Sequence, residues 1–333
     1  MAEEEYEITP ELVTEISRKS IAESRRISRR LANILGKLTK IRELLASGEA
    51  EIARIVNIDE LLAKEAKVSC YAIDSSFKSP LPLVFGDLFI VIGGYVRYPR
   101  VETTNTRINR GLRVLVRCRE ELTSRVQAAT SKIVERKIAI EILSCRQCDE
   151  EKWNALMFDG PIVPLWPIIL FTKSLYPQEE LLLKLSRKIV RLCRQKKKTI
   201  LGIIKRVRTH FIGRGLIKYL IDEGLLTGIS PRVFKVLKTA NDKALATLLL
   251  NPGEALLIGN YRTSKSIQLS LTEVGRKAAF DEFVNDNPWI KKVDVLFIKP
   301  KRSKHIVRIE LLDYGRIGTE GILSWLNNNS SHT

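Results

Sequence analysis

The chain has 333 residues, of which 44% are hydrophobic and 28% charged, and this balance excludes a disordered protein. Lysine and arginine number 56 against 38 aspartate and glutamate residues, so the formal net charge is +18. Such a charge indicates a polyanionic partner, usually nucleic acid and less often an anionic membrane surface. The sequence has no apolar stretch long enough to cross a bilayer, and its acidic start is unlike a signal peptide, so we expect a soluble, cytoplasmic protein.

The first predicted element is a pair of helices between residues 9 and 62. Pro10 after Thr9 suits a first helical turn, apolar residues recur at helical spacing, and Ser47 with Gly48 separates the two helices. We therefore expect residues 1–65 to form an N-terminal helical arm. Its apolar face must pack on the rest of the protein or on a second subunit.

A region that mixes strands and helices follows the arm. Strands are predicted at residues 68–73, 88–98, 154–158, 199–207, 293–298 and 305–311. Helices are predicted at residues 113–143, 177–195 and 210–223. Gly93 and Gly94 indicate a bulge or tight bend in the second strand. This order predicts an α/β domain with a mixed sheet flanked by helices, and residues 328–333 are expected to form a flexible tail.

Two aspartates end short apolar runs. Asp74 and Asp159 each follow a predicted strand and precede a small residue. An ionised carboxylate among strand residues is costly unless a cation compensates it, and in so basic a chain a divalent metal that acts on nucleic acid is the obvious candidate. For each aspartate alone, a metal ligand and the first residue of an ordinary turn both remain open.

Glu141 is the third acid of interest. It lies in the apolar segment 138–143, whereas Glu135 has lysine and arginine neighbours and is interpreted as a solvated surface residue. An acid among apolar neighbours is either paired with a nearby arginine or placed for function. Asp74, Glu141 and Asp159 would together suit Mn²⁺ or Mg²⁺, which activate water for phosphodiester hydrolysis.

The most distinctive segment is basic. Thirteen lysine or arginine residues and no acid lie between positions 181 and 221. In its first helix, an apolar stripe is expected to face the core, and the opposite face carries Lys184, Arg187, Lys188, Arg191 and Arg194. Such a face binds a phosphate backbone without sequence choice. We expect DNA to bind there and at Lys205, Arg206 and Arg208, where Lys205 either contacts the scissile phosphate or points to solvent.

Other chemistries lack support. The three histidines are too few and too scattered for a histidine-based hydrolase, and neither phosphate-binding glycine motif is present. Cys145 and Cys148 form a Cys-x-x-Cys pair, but without a second such pair they are interpreted as reduced cysteines and not as a zinc site.

Four short motifs, in their order along the chain, resemble the NurA nuclease domain. They are Asp74-Ser-Ser after a strand, Arg136 with Glu141 on a helix, Phe158-Asp159-Gly-Pro, and Gly202-Ile-Ile-Lys205. The resemblance covers residues 66–327. It implies an RNase H-like fold, a homodimer, and a Mn²⁺-dependent 5′→3′ exonuclease with some endonuclease activity. It also implies a hexameric HerA-type translocase as partner in archaeal DNA-end resection and double-strand-break repair.

By this resemblance, Asp74, Glu141 and Asp159 are the catalytic, metal-binding carboxylates. The family's C-terminal Gly-Tyr-Pro-x-Pro-Leu-x-x-Ala-His corresponds to residues 318–327, with Thr319 in place of the tyrosine and Asn327 in place of the histidine. Asn327 offers a carbonyl oxygen, which makes it a weak metal ligand, but it cannot shuttle a proton.

Three hypotheses follow from these substitutions and from the charge. The chain is an active metal-dependent deoxyribonuclease, or a catalytically attenuated subunit that binds DNA and docks a partner. A third hypothesis is an RNA-directed nuclease of the same fold, because positive charge alone does not distinguish DNA from RNA.

Overall fold

The computed structural model describes residues 10–61, 67–77, 81–83, 86–99, 115–119, 124–146, 148, 152–164, 175–207, 209–303 and 305–329. These residues form a ten-stranded mixed sheet with helices packed on it. The prediction of an α/β fold with a mixed sheet flanked by helices is confirmed. In the described part of the chain, no helix combines the length and the apolar character needed to span a membrane.

The strands, in chain order, are β1 (Arg54–Asn57), β2 (Cys70–Phe77), β3 (Leu81–Leu83), β4 (Gly86–Tyr98), β5 (Leu115–Arg119), β6 (Ala155–Asp159), β7 (Thr199–Ile204), β8 (Glu254–Asn260), β9 (Asp294–Lys299) and β10 (Val307–Asp313). The α-helices are α1 (Pro10–Ser47), α2 (Ser124–Ser144), α3 (Pro177–Gln195), α4 (Lys218–Asp222), α5 (Pro231–Thr239), α6 (Asp242–Leu249), α7 (Lys265–Glu273), α8 (Lys277–Asp286) and α9 (Thr319–Asn329). A π-helical segment, Phe211–Ile217, leads into α4, and 3₁₀ turns lie at Ile58–Glu60 and Pro288–Lys292.

The sheet order is β1-β8-β9-β10-β7-β6-β2-β4-β3, and β5 also pairs with β4. Strands β2, β6 and β7 are parallel neighbours, whereas β4 runs antiparallel to β2 and β5 antiparallel to β4. The run β5-β4-β2-β6-β7, with α2 before β6 and α3 before β7, is the arrangement of an RNase H-like sheet. Beyond β7, the late strands β10, β9 and β8 and the early strand β1 extend the sheet.

Helix α2 lies between the sheet and α3, and it is therefore covered on two sides. On one side Val134 and Ile138 join the main core, and on another Ala129 and Ile133 contact Leu182 of α3. A second core is built from residues of several central strands together with Ile322, Leu323 and Trp325 of α9. The buried surfaces of α2 and α9 thus hold the central strands in place.

The N-terminal region differs from the prediction. Helix α1 begins at Pro10, as expected, but it continues as a single helix to Ser47 and is followed by Gly48 at φ +80°, a left-handed conformation that ends helices. Thr9 lies outside the described residues. The predicted second helix is wrong, because residues 54–57 form β1, which pairs with β8 in the sheet. The end of α1 packs in the main core.

Strand β4 has no bulge at its two glycines, so that prediction is also wrong. The register with β2 runs unbroken through Asp74 opposite Gly94 and Ser75 opposite Gly93. Glycine is present at position 93 for a different reason: an added Cβ would lie 2.5 Å from Val134 and 2.9 Å from Ile138. Gly93 therefore allows α2 to approach the sheet closely.

The predicted long helix is shorter than expected. Residues 115–119 form β5, which pairs with the N-terminal half of β4, and α2 begins at Ser124. Residues 115–119 were predicted to be helical, but pairing with an available sheet edge decides their local structure. The expected flexible tail beyond residue 329 lies outside the described residues.

Candidate functional site

Asp74 and Asp159 lie side by side on neighbouring parallel strands. Ile73 of β2 pairs with Phe158 of β6, and the two aspartates are the next residues of their strands. Adjacent strands are about 4.8 Å apart, and residues at matching positions project from the same face. Asp74 is exposed, and 38% of the Asp159 side chain is exposed. The structure therefore brings together the two aspartates that the sequence singled out.

The acid that α2 presents beside this pair is Glu135. Its carboxylate is 0% exposed and accepts a hydrogen bond of 2.7 Å from the hydroxyl of Ser75, the residue next to Asp74. Glu141 lies six residues further along α2, which corresponds to about 240° around a helix. It is exposed. The interpretation of Glu135 as a solvated residue is wrong, and so is the expectation that apolar neighbours enclose Glu141.

The residues next to Glu135 and Glu141 in the sequence do not indicate which of the two acids is buried, because α2 is covered on two sides. The apolar residues beside Glu141 contact the core while Glu141 itself points outward. The neighbours that matter lie three and four residues away, and around Glu135 they include the small, buried Ser131 and Ala139. Small residues at those positions are the sequence signal that could have identified Glu135 as the enclosed acid.

Lys132 supplies a cation at this centre. Its ammonium donates to Oε1 of Glu135 at 2.7 Å and to the backbone carbonyl oxygen of Asp159 at 2.7 Å. Gly160 has φ +133°, and an added Cβ there would lie 3.1 Å from the same nitrogen. The absence of a side chain at Gly160 thus leaves room for the lysine.

A second cation lies on the other side of the Glu135 carboxylate. Nη1 of Arg136 is 3.7 Å from Oε2 of Glu135, and Nη2 of Arg136 donates to the carbonyl oxygen of Pro161 at 2.9 Å. Burial raises the pKa of the Glu135 carboxyl, against the opposing effect of Lys132 and Arg136. Burial likewise lowers the pKa of the Arg136 guanidinium.

Lys205 approaches the remaining aspartate. It follows β7, and its ammonium lies 3.4 Å from Oδ2 of Asp159, with 55% of the lysine side chain exposed. Two lysines therefore contact Asp159, Lys132 at its backbone and Lys205 at its side chain. An exposed cation beside a strand-end carboxylate is accessible to a phosphate group in solution.

A buried ion network fixes the turn that follows β6. Oε2 of Glu310 accepts hydrogen bonds from the backbone N–H groups of Ile162 at 2.7 Å and Val163 at 3.0 Å. Oε1 of Glu310 accepts from the Tyr261 hydroxyl at 2.6 Å and forms an ion pair with Arg308. Burial raises the pKa of the Tyr261 hydroxyl. This network was not predicted, although Arg308 and Glu310 are two residues apart in a strand and therefore lie on one face.

The arrangement of acids does not fit the predicted metal cage. Among the described residues, which include Asp74, Glu141 and Asp159, no group of three or more His, Cys, Asp or Glu side chains could hold a metal ion. Mn²⁺ and Mg²⁺ need several oxygen ligands. Here one oxygen of Glu135 already accepts from Lys132 and from Ser75, and the other faces Arg136.

The side chain of Asn327 is engaged in hydrogen bonds of the fold. Its side chain is buried, and its Oδ1 accepts a hydrogen bond of 3.0 Å from the backbone N–H of Lys301 in the turn between β9 and β10. Thr319 is the first residue of α9. The expectation that Asn327 offers its carbonyl oxygen to a metal is therefore corrected, because that oxygen caps the turn.

The basic face of α3 is present in the structure. Lys184, Arg187, Lys188, Arg191 and Arg194 are all exposed, and residues such as Leu182 and Ile189 on the opposite side are buried. Arg187 also donates to Oδ1 of Asn287 at 2.8 Å. Lys205 and Arg206 are exposed at the end of β7, and Arg208 lies outside the described residues.

The chain is similar to solved structures of NurA. One, described as "Crystal structure of NurA with manganese", is 11% identical, with 92% of this chain and 91% of that chain covered and a TM-score of 0.44. Another, "Crystal structure of NurA bound to dAMP and manganese", is 12% identical, covers 92% and 93%, and has a TM-score of 0.41. No family model and no curated protein matches the sequence. At this identity the similarity does not assign an activity.

Proposed function

We propose that the protein binds DNA through its basic surfaces and that its nuclease-type centre is catalytically attenuated. The observation that carries this proposal is the Lys132 ammonium, which contacts both Glu135 and the Asp159 carbonyl at 2.7 Å. A cation of the chain itself thus neutralises the buried acid of the centre. The centre has two aspartates on adjacent parallel strands, as a phosphodiesterase would use, but the described residues contain no three-acid group that could hold a metal.

The DNA-binding part of the proposal rests on charge and exposure. The five α3 cations extend from one exposed helix face in a chain of net charge +18. Contacts of this kind release counterions, so binding weakens steeply with salt. Fluorescence anisotropy with labelled single-stranded and duplex DNA at 50 and 200 mM salt tests this. RNA of the same sequence at matched salt decides between the two polymers, and binding that does not respond to salt would contradict the proposal.

A second candidate is an active Mn²⁺- or Mg²⁺-dependent deoxyribonuclease, with 5′→3′ exonuclease activity and some endonuclease activity. The position of Asp74 and Asp159 on adjacent parallel strands, with Lys205 beside them, favours it. In this case Asp74→Ala or Asp159→Ala abolishes Mn²⁺-dependent degradation of linear DNA and leaves DNA binding nearly unchanged. The exposed Glu141 takes part only if α2 moves, so Glu141→Ala tests its assigned role separately.

The order of the four motifs supports a partner of the HerA type. We propose that the chain forms a homodimer in the cytoplasm and docks on a hexameric DNA translocase that works in archaeal DNA-end resection. Light scattering gives the oligomeric state, and co-elution with a purified HerA-type hexamer tests the docking. A monomer that does not co-elute contradicts this part of the proposal without affecting DNA binding.

A further inference from the structure

The contacts of Lys132 distinguish it from an ordinary surface lysine. Its side chain is 30% exposed, and its ammonium joins two elements, a carboxylate of its own helix and the carbonyl oxygen at the end of β6. The glycine at position 160 lies directly against it. The nitrogen therefore occupies a small space bounded by oxygen atoms from α2 and from the turn after β6.

We propose that the Lys132 ammonium takes the place of a divalent cation between Glu135 and the Asp159 carbonyl, and that its removal opens a metal site there. This inference deepens the proposed attenuated function and rests on it. The wild-type chain then does not bind Mn²⁺ through Glu135. A variant without the ammonium binds Mn²⁺ through the Glu135 carboxylate and the Asp159 carbonyl oxygen, the two oxygen groups that the lysine leaves.

The charge balance supports this assignment. Glu135 is fully buried, and an unpaired buried carboxylate is strongly unfavourable. Arg136 is also buried, but its closest approach to Glu135 is 3.7 Å and its other terminal nitrogen is bound to Pro161, so it does not take over the position of Lys132. Removal of the Lys132 ammonium leaves an under-compensated acid beside a carbonyl oxygen, and hard oxygen ligands of this kind favour Mn²⁺ and Mg²⁺.

The experiment compares Mn²⁺ binding by the full chain before and after substitution, without DNA. Lys132→Met removes the ammonium and keeps the length of the side chain. Lys132→Gln retains a neutral donor for Glu135 and serves as the milder variant if the methionine protein is unstable. Lys137→Met removes a lysine from the same helix and is the matched control. Isothermal titration calorimetry gives affinity, and the unfolding temperature with and without Mn²⁺ gives a second readout.

We expect Mn²⁺ affinity to rise at least tenfold in Lys132→Met and to remain at the wild-type level in Lys137→Met. Adding Glu135→Gln to Lys132→Met should remove the gain. Wild-type protein that already binds Mn²⁺ as tightly as the variant overturns the inference, and so does the absence of any Mn²⁺ response in both Lys132 variants. Failure of DNA binding would instead contradict the proposed function, so the two outcomes are separable.

Discussion

Lys132 and Glu135, one turn apart on α2, form a 2.7 Å ion pair, and the Lys132 ammonium also donates a 2.7 Å hydrogen bond to the carbonyl oxygen of Asp159. This pair ties the helix to the end of β6, where the two strand aspartates meet. The Lys132 ammonium therefore affects both the stability of the fold and the candidate site. It neutralises the buried Glu135 and fills the space between Glu135 and the end of β6.

Glu310→Gln should destabilise the protein by about 3–5 kcal/mol, because it leaves the buried Arg308 without its carboxylate and weakens the hold on the turn after β6. Urea denaturation followed by circular dichroism measures the change. Asp222→Asn is the control, since Asp222 pairs with Lys218 near the surface and its loss should cost less than about 1 kcal/mol. Equal effects of the two substitutions would contradict the role given to Glu310.

Gly202→Ala should destabilise the protein by about 1–3 kcal/mol and loosen the turn after β6. An added Cβ would lie 2.7 Å from the backbone oxygen of Gly160 and 2.9 Å from the backbone nitrogen of Ile162, and backbone atoms cannot rotate away. Gly94→Ala provides a control in β4, where an added Cβ meets no atom within 4 Å. Hydrogen exchange of the amides of residues 160–163 should speed up only in the first variant.

Reversing two charges on the outer face of α3, Lys184→Glu with Arg191→Glu, should lower DNA affinity at least tenfold at moderate salt. If each cation contacts one phosphate, the slope of log affinity against log salt should become less steep by about 2. Lys235→Glu with Lys277→Glu changes the net charge equally at exposed positions on α5 and α8. If this control double variant binds as weakly, the binding surface is not on α3.

Stability should fall at alkaline pH because of buried thiols. Burial raises the pKa of Cys193 from 9.0 to about 12. The unfolded chain therefore loses this proton at lower pH than the folded chain, and the contribution to stability is complete below pH 9 and declines above it. Between pH 8 and 10, wild-type protein should lose about 1 kcal/mol more than Cys193→Ala. Val190→Ala, a truncation on the same helix, should keep the wild-type pH slope in urea titrations.

The local sequence pattern was sufficient to predict the positions of several helices and strands. Helix α3 has the predicted bounds, with Pro177 in its first turn, and β6 ends at Asp159 as expected. Strand β2 was predicted to end before Asp74, but it continues to Phe77. These segments carry their own signals: a proline start, an amphipathic spacing, or a short apolar run. The exposed basic face of α3 followed from the same spacing.

The features that were predicted wrongly depend on packing between residues that are far apart in the sequence. Residues 54–57 became a strand because β8 offers an edge to pair with, and Gly93 serves the approach of α2 and not a bulge. Long-range packing also explains why Glu141 was predicted to be the enclosed acid and Glu135 is the enclosed acid in the structure. Only the position of α2 between the sheet and α3 determines which of the two is buried. The contact between Lys132 and the Asp159 carbonyl joins residues 27 positions apart and had no local signal.

The central claim, DNA binding without efficient cleavage, is tested most directly by a single-turnover assay. Excess wild-type protein is mixed with end-labelled linear duplex in Mn²⁺ at low salt, and bound and degraded DNA are measured in the same sample over several hours. We predict that the duplex is bound and remains essentially intact. Degradation within minutes that Asp74→Ala or Asp159→Ala abolishes would contradict the claim and establish the active nuclease.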